Sequence, residues 1–194
     1  GIRISISTLL SALSIRVKSF ADADDLLDHW ERLEPGIILL DIQMPGRNGL
    51  DLLRELRARD CHWPTAVITA HGAIPLAVRA MKLGAIEFLE KPFTQAQLEG
   101  AIRDGLAYLP AAAIKSVRYR RARQLSHAPT PRHRQIFDGV ADGLSNKEIA
   151  RNLGISHRTV EAYRMDMMNR LDLQNLMELI ELKPILSEIE RDDR

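Results

Sequence analysis

The sequence predicts two folds in tandem. An α/β unit on a parallel sheet is expected over 1–109 and an all-α unit over 130–194, with a linker over 110–129. Three observations predict this. Up to residue 109, short apolar runs alternate with stretches of helical period, the pattern of a parallel sheet covered on both faces. From Arg134 onward only helical periods occur. Between them, "PAAAIKSVRYRRARQLSHAPTPRH" (110–133) is rich in proline and arginine, a composition suited to a domain boundary.

The elements follow in order. Ile2, Ile6, Leu9, Leu10 and Leu13 repeat at helical spacing. "SIRVKSF" (14–20) alternates Ile15 and Val17 before Phe20, as a strand would. "DADDLLDHWERL" (22–33) begins with acids, which suit the positive end of a helix. "GIILL" (36–40) is a buried strand, and Met44-Pro45-Gly46 is a tight turn before the helix "GLDLLRELRAR" (49–59). "TAVITA" (65–70) is a second buried strand and 74–84 a helix closed by Gly84. "AIEFLE" (85–90) is a strand, and 95–109 a helix. Beyond the linker, helices are expected at 134–143, 145–153, 157–171 and 174–182. The acidic tail 183–194 carries Ile185, Leu186 and Ile189 and extends the last helix.

No run of 18 apolar residues spans a membrane and no signal peptide is visible. Cys61 is the single cysteine, so no internal disulfide can form, and a cytoplasmic protein is expected. A net charge of +1 conceals an uneven distribution: −2 over residues 1–114, +7 over 115–170 and −4 over 171–194. A basic block in a neutral chain suggests a polyanion partner, although a solvated face gives the same count. The arginines Arg118, Arg120, Arg121 and Arg123 are read as such a solvated helix.

Asp41 closes the first buried run, Thr69 the second, and Lys91 follows the third. Ligands of open parallel sheets bind outside the carboxyl ends of the strands. Singly, these residues read as an Asx turn, a strand end and a solvated lysine. Together, at matching ends of successive strands, they put a carboxylate, a hydroxyl and an ammonium in one site. The carboxylate can attack a phosphoryl group, and the other two can hold its oxygens.

"LLDIQMPGRNGLDLL", "VITAHG" and "AVRAMKLGAIEFLEKPF", in that order and spacing, resemble the receiver domain of two-component response regulators. The resemblance implies a flavodoxin-like fold with Asp41 as phosphoacceptor, Thr69 as switch hydroxyl and Lys91 as phosphoryl ligand. Phe88 matches the switch aromatic, and the Lys91–Pro92 bond is expected to be cis. A phosphoryl group brings about two negative charges to the sheet edge, Thr69 moves to meet it, and Phe88 turns inward. The face around 74–84, 85–90 and 95–106 then repacks, and in the family that face commonly makes the active dimer.

The resemblance also implies a first strand, central in the sheet and ending in acids that hold Mg²⁺. Residues 1–20 correspond to the helix and strand that follow it, so the first strand is expected to precede Gly1. Within the sequence the metal ligands are Asp41 and the Gln43 backbone carbonyl, and Mg²⁺ is expected only if upstream acids exist.

"GLSNKEIARNLGISHRTVEAYRMDMMNRL" (143–171) reads as helix, turn, helix. Ser145 and Glu148 form a capping box, Gly154 reverses the chain, and Ser156 caps the second helix. Val160, Met167 and Leu171 make its buried stripe. With "TPRHRQIFDGVAD" before it, this stretch resembles the LuxR-type helix-turn-helix of FixJ/NarL-class regulators. The resemblance places Glu161, Ala162 and Met165 against base edges. Lys147, Arg158, Thr159, Arg164 and Arg170 are candidates for phosphate contacts. Three departures stand out: His133 where a glutamate is usual, Tyr163 for a common histidine, and Asp166 as an added negative charge.

The expectation is a DNA-binding response regulator, not an enzyme, whose receiver is phosphorylated by a sensor histidine kinase and which binds double-stranded DNA as a homodimer. The alternative is a phosphorylation-independent transcription factor with a degenerate receiver. Against a cofactor-binding enzyme, there is no glycine-rich phosphate loop, and His29, His62, His71, His127, His133 and His157 are scattered.

Overall fold

A computed structural model describes residues 2–44, 46–70, 72–127 and 130–192. Pro45 of the expected turn, His71, Pro129 of the linker and the last two residues of the tail lie outside them. The chain divides into two compact units, residues 1–113 and 114–194.

In the first unit, α1 (Ile2–Ala12) and α2 (Ala23–His29) precede β1 (Ile38–Asp41), α3 (Gly49–Ala58), β2 (Thr65–Thr69), α4 (Ile74–Lys82) and β3 (Glu87–Glu90). Helix α5 (Gln95–Ser126) follows. The strands form a parallel sheet in the order β1-β2-β3. All five residues of β2 are buried, because helices cover both faces of the sheet. One face packs Leu40 and Val67 against α2 and α3, with Leu53 and Leu56 wholly enclosed. The other packs Ala66, Ile68 and Leu89 against Leu10 of α1 and Leu98 and Ile102 of α5. Asp22 caps α2 and Asn48 caps α3, and Gly84, at φ +86°, ends α4.

Residues 15–20 are not a strand, contrary to their alternation. A strand exists only by pairing its backbone with a neighbour. Among the described residues β1 pairs with β2 alone, and a cavity of about 990 Å³ borders its other side. Ile15, Val17 and Phe20 line that cavity together with Ile37–Asp41 and the α5 residues Ile102 and Leu106.

The expected linker is also different. Helix α5 runs through Pro110, which has no N–H to offer the turn before it, and continues to Ser126. Ser116, Tyr119, Ala122 and Leu125 recur every third residue. Ser116, Ala122 and Leu125 are buried, and Tyr119 packs on the second core. The arginine run is therefore only partly a solvated helix: Arg118 and Arg120 are exposed, Arg121 and Arg123 half-buried. Arg118 bonds Glu181 at 2.6 Å, and Arg121 bonds Glu178 at 3.3 Å and the Asp172 carbonyl. The stripe that drives this packing was present in the sequence but masked by the prolines and charges around it.

The second unit continues with α6 (Pro131–Ala141), α7 (Asn146–Leu153), α8 (His157–Arg170), α9 (Leu176–Ile180) and α10 (Leu182–Asp192). Ile136 and Phe137 of α6, Ile149 of α7, Val160 of α8 and Leu179 of α9 are fully enclosed in its core. The acidic tail forms α10, which buries Leu182, Leu186 and Ile189. Its acids meet donors of α5 and α6: Glu188 accepts from the Tyr119 hydroxyl at 2.6 Å, and Glu190 pairs with Arg134.

Candidate phosphoryl and DNA-binding sites

The carboxyl ends of the strands assemble the first site. Asp41 is the last residue of β1, Thr69 of β2, and Lys91 follows β3. Lys91 Nζ pairs with Asp41 Oδ2, and both side chains are mostly shielded, 20% and 27% exposed. The second carboxylate oxygen accepts from the Gln43 backbone N–H at 3.0 Å. Asp41 is therefore held in place by a cation and by the turn that follows it, with one edge open to solvent. Thr69 is 1% exposed, and its carbonyl accepts from the Lys91 N–H at 2.8 Å, which aligns the two strand ends. Phe88 pairs in register with Val67 and is half-buried against the core on the α3 side. The Lys91–Pro92 bond is cis, as expected.

Two positioning features escaped sequence reasoning. Glu90 Oε1 accepts from the Gly72 N–H at 2.9 Å and ties the loop after Thr69 to the end of β3. Gly49, the first residue of α3, lies so close to the end of β1 that a Cβ there would stand 2.3 Å from the Asp41 carbonyl oxygen. The signal was the glycine opening a helix, where a side chain is otherwise tolerated. Gly49→Ala is expected to displace α3 from β1 and cost about 1–3 kcal/mol. Trp30 and Trp63 both lie in the first unit, so the thermal transition of the full chain followed by tryptophan fluorescence will check this.

Metal ligands are fewer than the resemblance implies. Asp41 Oδ2 is taken by Lys91, and beyond Asp41 the sequence offers only the Gln43 carbonyl. Among the described residues no group of three or more His, Cys, Asp or Glu could hold an ion. Mg²⁺ demands near-octahedral oxygen coordination, which Asp41 and the Gln43 carbonyl do not complete by themselves.

The second site is α7–turn–α8. The capping box of Ser145 and Glu148 is complete, and these bonds hold the Glu148 carboxyl below its ordinary range. Gly154 adopts φ +64° at the turn, and Ser156 caps α8. Val160, Met167 and Leu171 are buried. The opposite surface of α8 exposes Arg158, Glu161, Ala162 and Met165, and α7 exposes Lys147. Among the described residues Lys147 and Arg158 form no ion pair. The other phosphate candidates are engaged within the unit. Arg164 donates to Asn146, Arg170 donates to Asp166 at 2.7 Å, and the Thr159 and Ser156 hydroxyls share a hydrogen bond of 2.8 Å. Asp166 is not a bare negative charge. His133 and then Arg170 bond it and hold its carboxyl below the usual range. That stabilisation is present above the ordinary carboxylate range and is lost as pH falls through the lowered value.

No helix among the described residues is long and apolar enough to cross a membrane. The response regulator receiver domain family matches residues 1–103, and the bacterial regulatory proteins of the luxR family match 129–182. The transcriptional regulatory protein FixJ of Bradyrhizobium diazoefficiens is 40% identical over 94% of this chain and 89% of its own length. FixJ of Azorhizobium caulinodans is 38% identical, covering 100% of this chain and 92% of its own. A structure of the response regulator StyR superposes with a TM-score of 0.56 at 37% identity, covering 94% of this chain and 92% of that one. Full-length FixJ from B. japonicum gives 0.54, also at 37% identity, with 96% and 92% covered. With both family matches and relatives aligned over nearly its whole length, this chain belongs to the response regulators that join a receiver domain to a LuxR-type DNA-binding domain.

Proposed function

We propose that this protein is a transcription regulator whose DNA binding is controlled by phosphorylation of Asp41 by a sensor histidine kinase. The single observation that carries this is the Asp41–Lys91 pair beside buried Thr69 at one sheet edge. The Asp41 carboxylate is the nucleophile. Once it carries a phosphoryl group, its attraction for Lys91 extends to the new oxygens, and Thr69 gains an acceptor to move towards. Phe88, half-buried next to that hydroxyl's strand, follows. The face of α4, where Ile74, Val78 and Met81 are exposed, then pairs two copies, and their two helix-turn-helix units meet a two-fold operator.

Helix α8 enters the major groove with Glu161, Ala162 and Met165 towards the bases. Glutamate accepts from cytosine, and the apolar pair suits a thymine methyl. Lys147 and Arg158, which form no ion pair among the described residues, are the leading phosphate contacts, with Thr159, Arg164 and Arg170 at the margins. Replacing Lys147 or Arg158 by alanine in the full chain is expected to weaken binding to any duplex. Each change should lower the slope of log K against log salt by about one. Fluorescence anisotropy across a salt series checks this, and an unchanged slope would remove α7–α8 as the DNA face.

A further inference from the structure

The three departures noted in the helix-turn-helix, His133, Tyr163 and Asp166, converge in the structure. The His133 side chain is only 8% exposed. Its Nε2 lies 2.9 Å from Asp166 Oδ2, and its Nδ1 lies 2.8 Å from the hydroxyl of Thr130, the N-cap of α6. The Tyr163 ring stands edge-on at 4.7 Å between centroids. On the far side, Arg170 Nε donates to the same Asp166 oxygen at 2.7 Å. A continuous relay, Thr130–His133–Asp166–Arg170, therefore joins the start of α6 to helix α8.

We propose that His133 is a positioning residue for DNA recognition: through Asp166 it seats α8 and sets the charge α8 presents, so that DNA is bound more tightly when the imidazole takes up a proton. This rests on α8 being the DNA-facing helix.

With a neutral imidazole, Nε2–H donates to Asp166 and Nδ1 accepts from the Thr130 hydroxyl. Asp166, Arg170 and His133 then sum to no net charge. With a second proton both ring nitrogens donate, the Thr130 hydroxyl turns to accept, and the sum becomes one positive charge. No heavy atom has to leave its place. The arginines flanking His133 are engaged elsewhere. Arg132 of α6 donates to Gln135 and to the Leu153 carbonyl of α7, and Arg134 is bound to Asp138 and Glu190. By residue type, tyrosine, arginine and carboxylates keep their charge between about pH 6 and 8, and histidine does not. An added positive charge on a helix facing phosphates strengthens binding, and bound DNA favours the proton in return.

The exposed His157, 3.6 Å from Glu161 on the first turn of α8, is the rival source of a pH effect on α8 itself. The full chain is titrated against a labelled random-sequence duplex at constant ionic strength, at about pH 6 and about pH 8. Kd is expected to be about threefold lower at the acid end, the worth of one unit charge at roughly 7 Å in water. His157→Gln keeps this difference. His133→Gln, whose amide can still donate to Asp166, removes it, with the helical signal in circular dichroism confirming the fold. Asp166→Asn, which leaves the imidazole in place, reduces it and decides the matter if His133→Gln does not fold. A difference that is absent in the wild type, survives in folded His133→Gln, is left unreduced by Asp166→Asn where His133→Gln does not fold, or vanishes with His157→Gln overturns the proposal. No duplex binding at either pH overturns instead the assignment of α8 to DNA.

Discussion

Asp41→Asn is expected to abolish phosphorylation of the complete protein. Incubated with acetyl phosphate and Mg²⁺, the wild type gains one phosphoryl group by intact mass and the variant gains none. The reason is local. The Lys91 ammonium and the Gln43 N–H aim at the Asp41 carboxylate. An amide of nearly the same shape keeps the hydrogen bond from Gln43 but has no nucleophilic oxygen to offer phosphorus. Lys91 loses its charge partner, yet its side chain is 20% exposed and retains water, so the fold should survive and the loss should be specific. Duplex binding that rises with acetyl phosphate in the wild type and not in Asp41→Asn would tie the two units together functionally. A wild type that gains no phosphoryl group would instead favour DNA binding independent of phosphorylation.

Phe137→Ala is expected to have the largest effect on stability. Phe137 is fully enclosed in the core of the second unit, among residues of α5 to α10. Truncating a buried phenylalanine costs about 3–5 kcal/mol, a large share of the roughly 5–15 kcal/mol that holds a domain together. In a unit of this size the transition should fall by about ten degrees or more. The two tryptophans make the result readable in the full chain. Trp30 and Trp63 pack edge-on in the first unit, with ring centroids 6.3 Å apart. Circular dichroism, dominated by the helices, should show an early transition in the variant while tryptophan fluorescence melts as in the wild type. A shift of both signals together would mean that the two units unfold as one.

The buried strands, the caps and the site at the sheet edge could all be read from local pattern. Apolar runs ending in Asp41 and Thr69, the box of Ser145 and Glu148, and Gly154 at a positive φ each carry their signal within a few residues. Hydrophobic period and backbone preference act at that range. Long-range pairing was hidden. Residues 15–20 alternate as a strand does, yet among the described residues the sheet consists of β1, β2 and β3 without them. Residues 110–126 look like a linker but complete a helix, because Ala122 and Leu125 find a core and Arg118 and Arg121 find the acids of residues 172–181. His133 and Asp166, 33 positions apart, each looked like a misfit alone and form one hydrogen bond in the fold. Composition and period state which residues must be buried or capped. Which partner each buried or charged group meets depends on distance in space, and that is settled only when the helices pack.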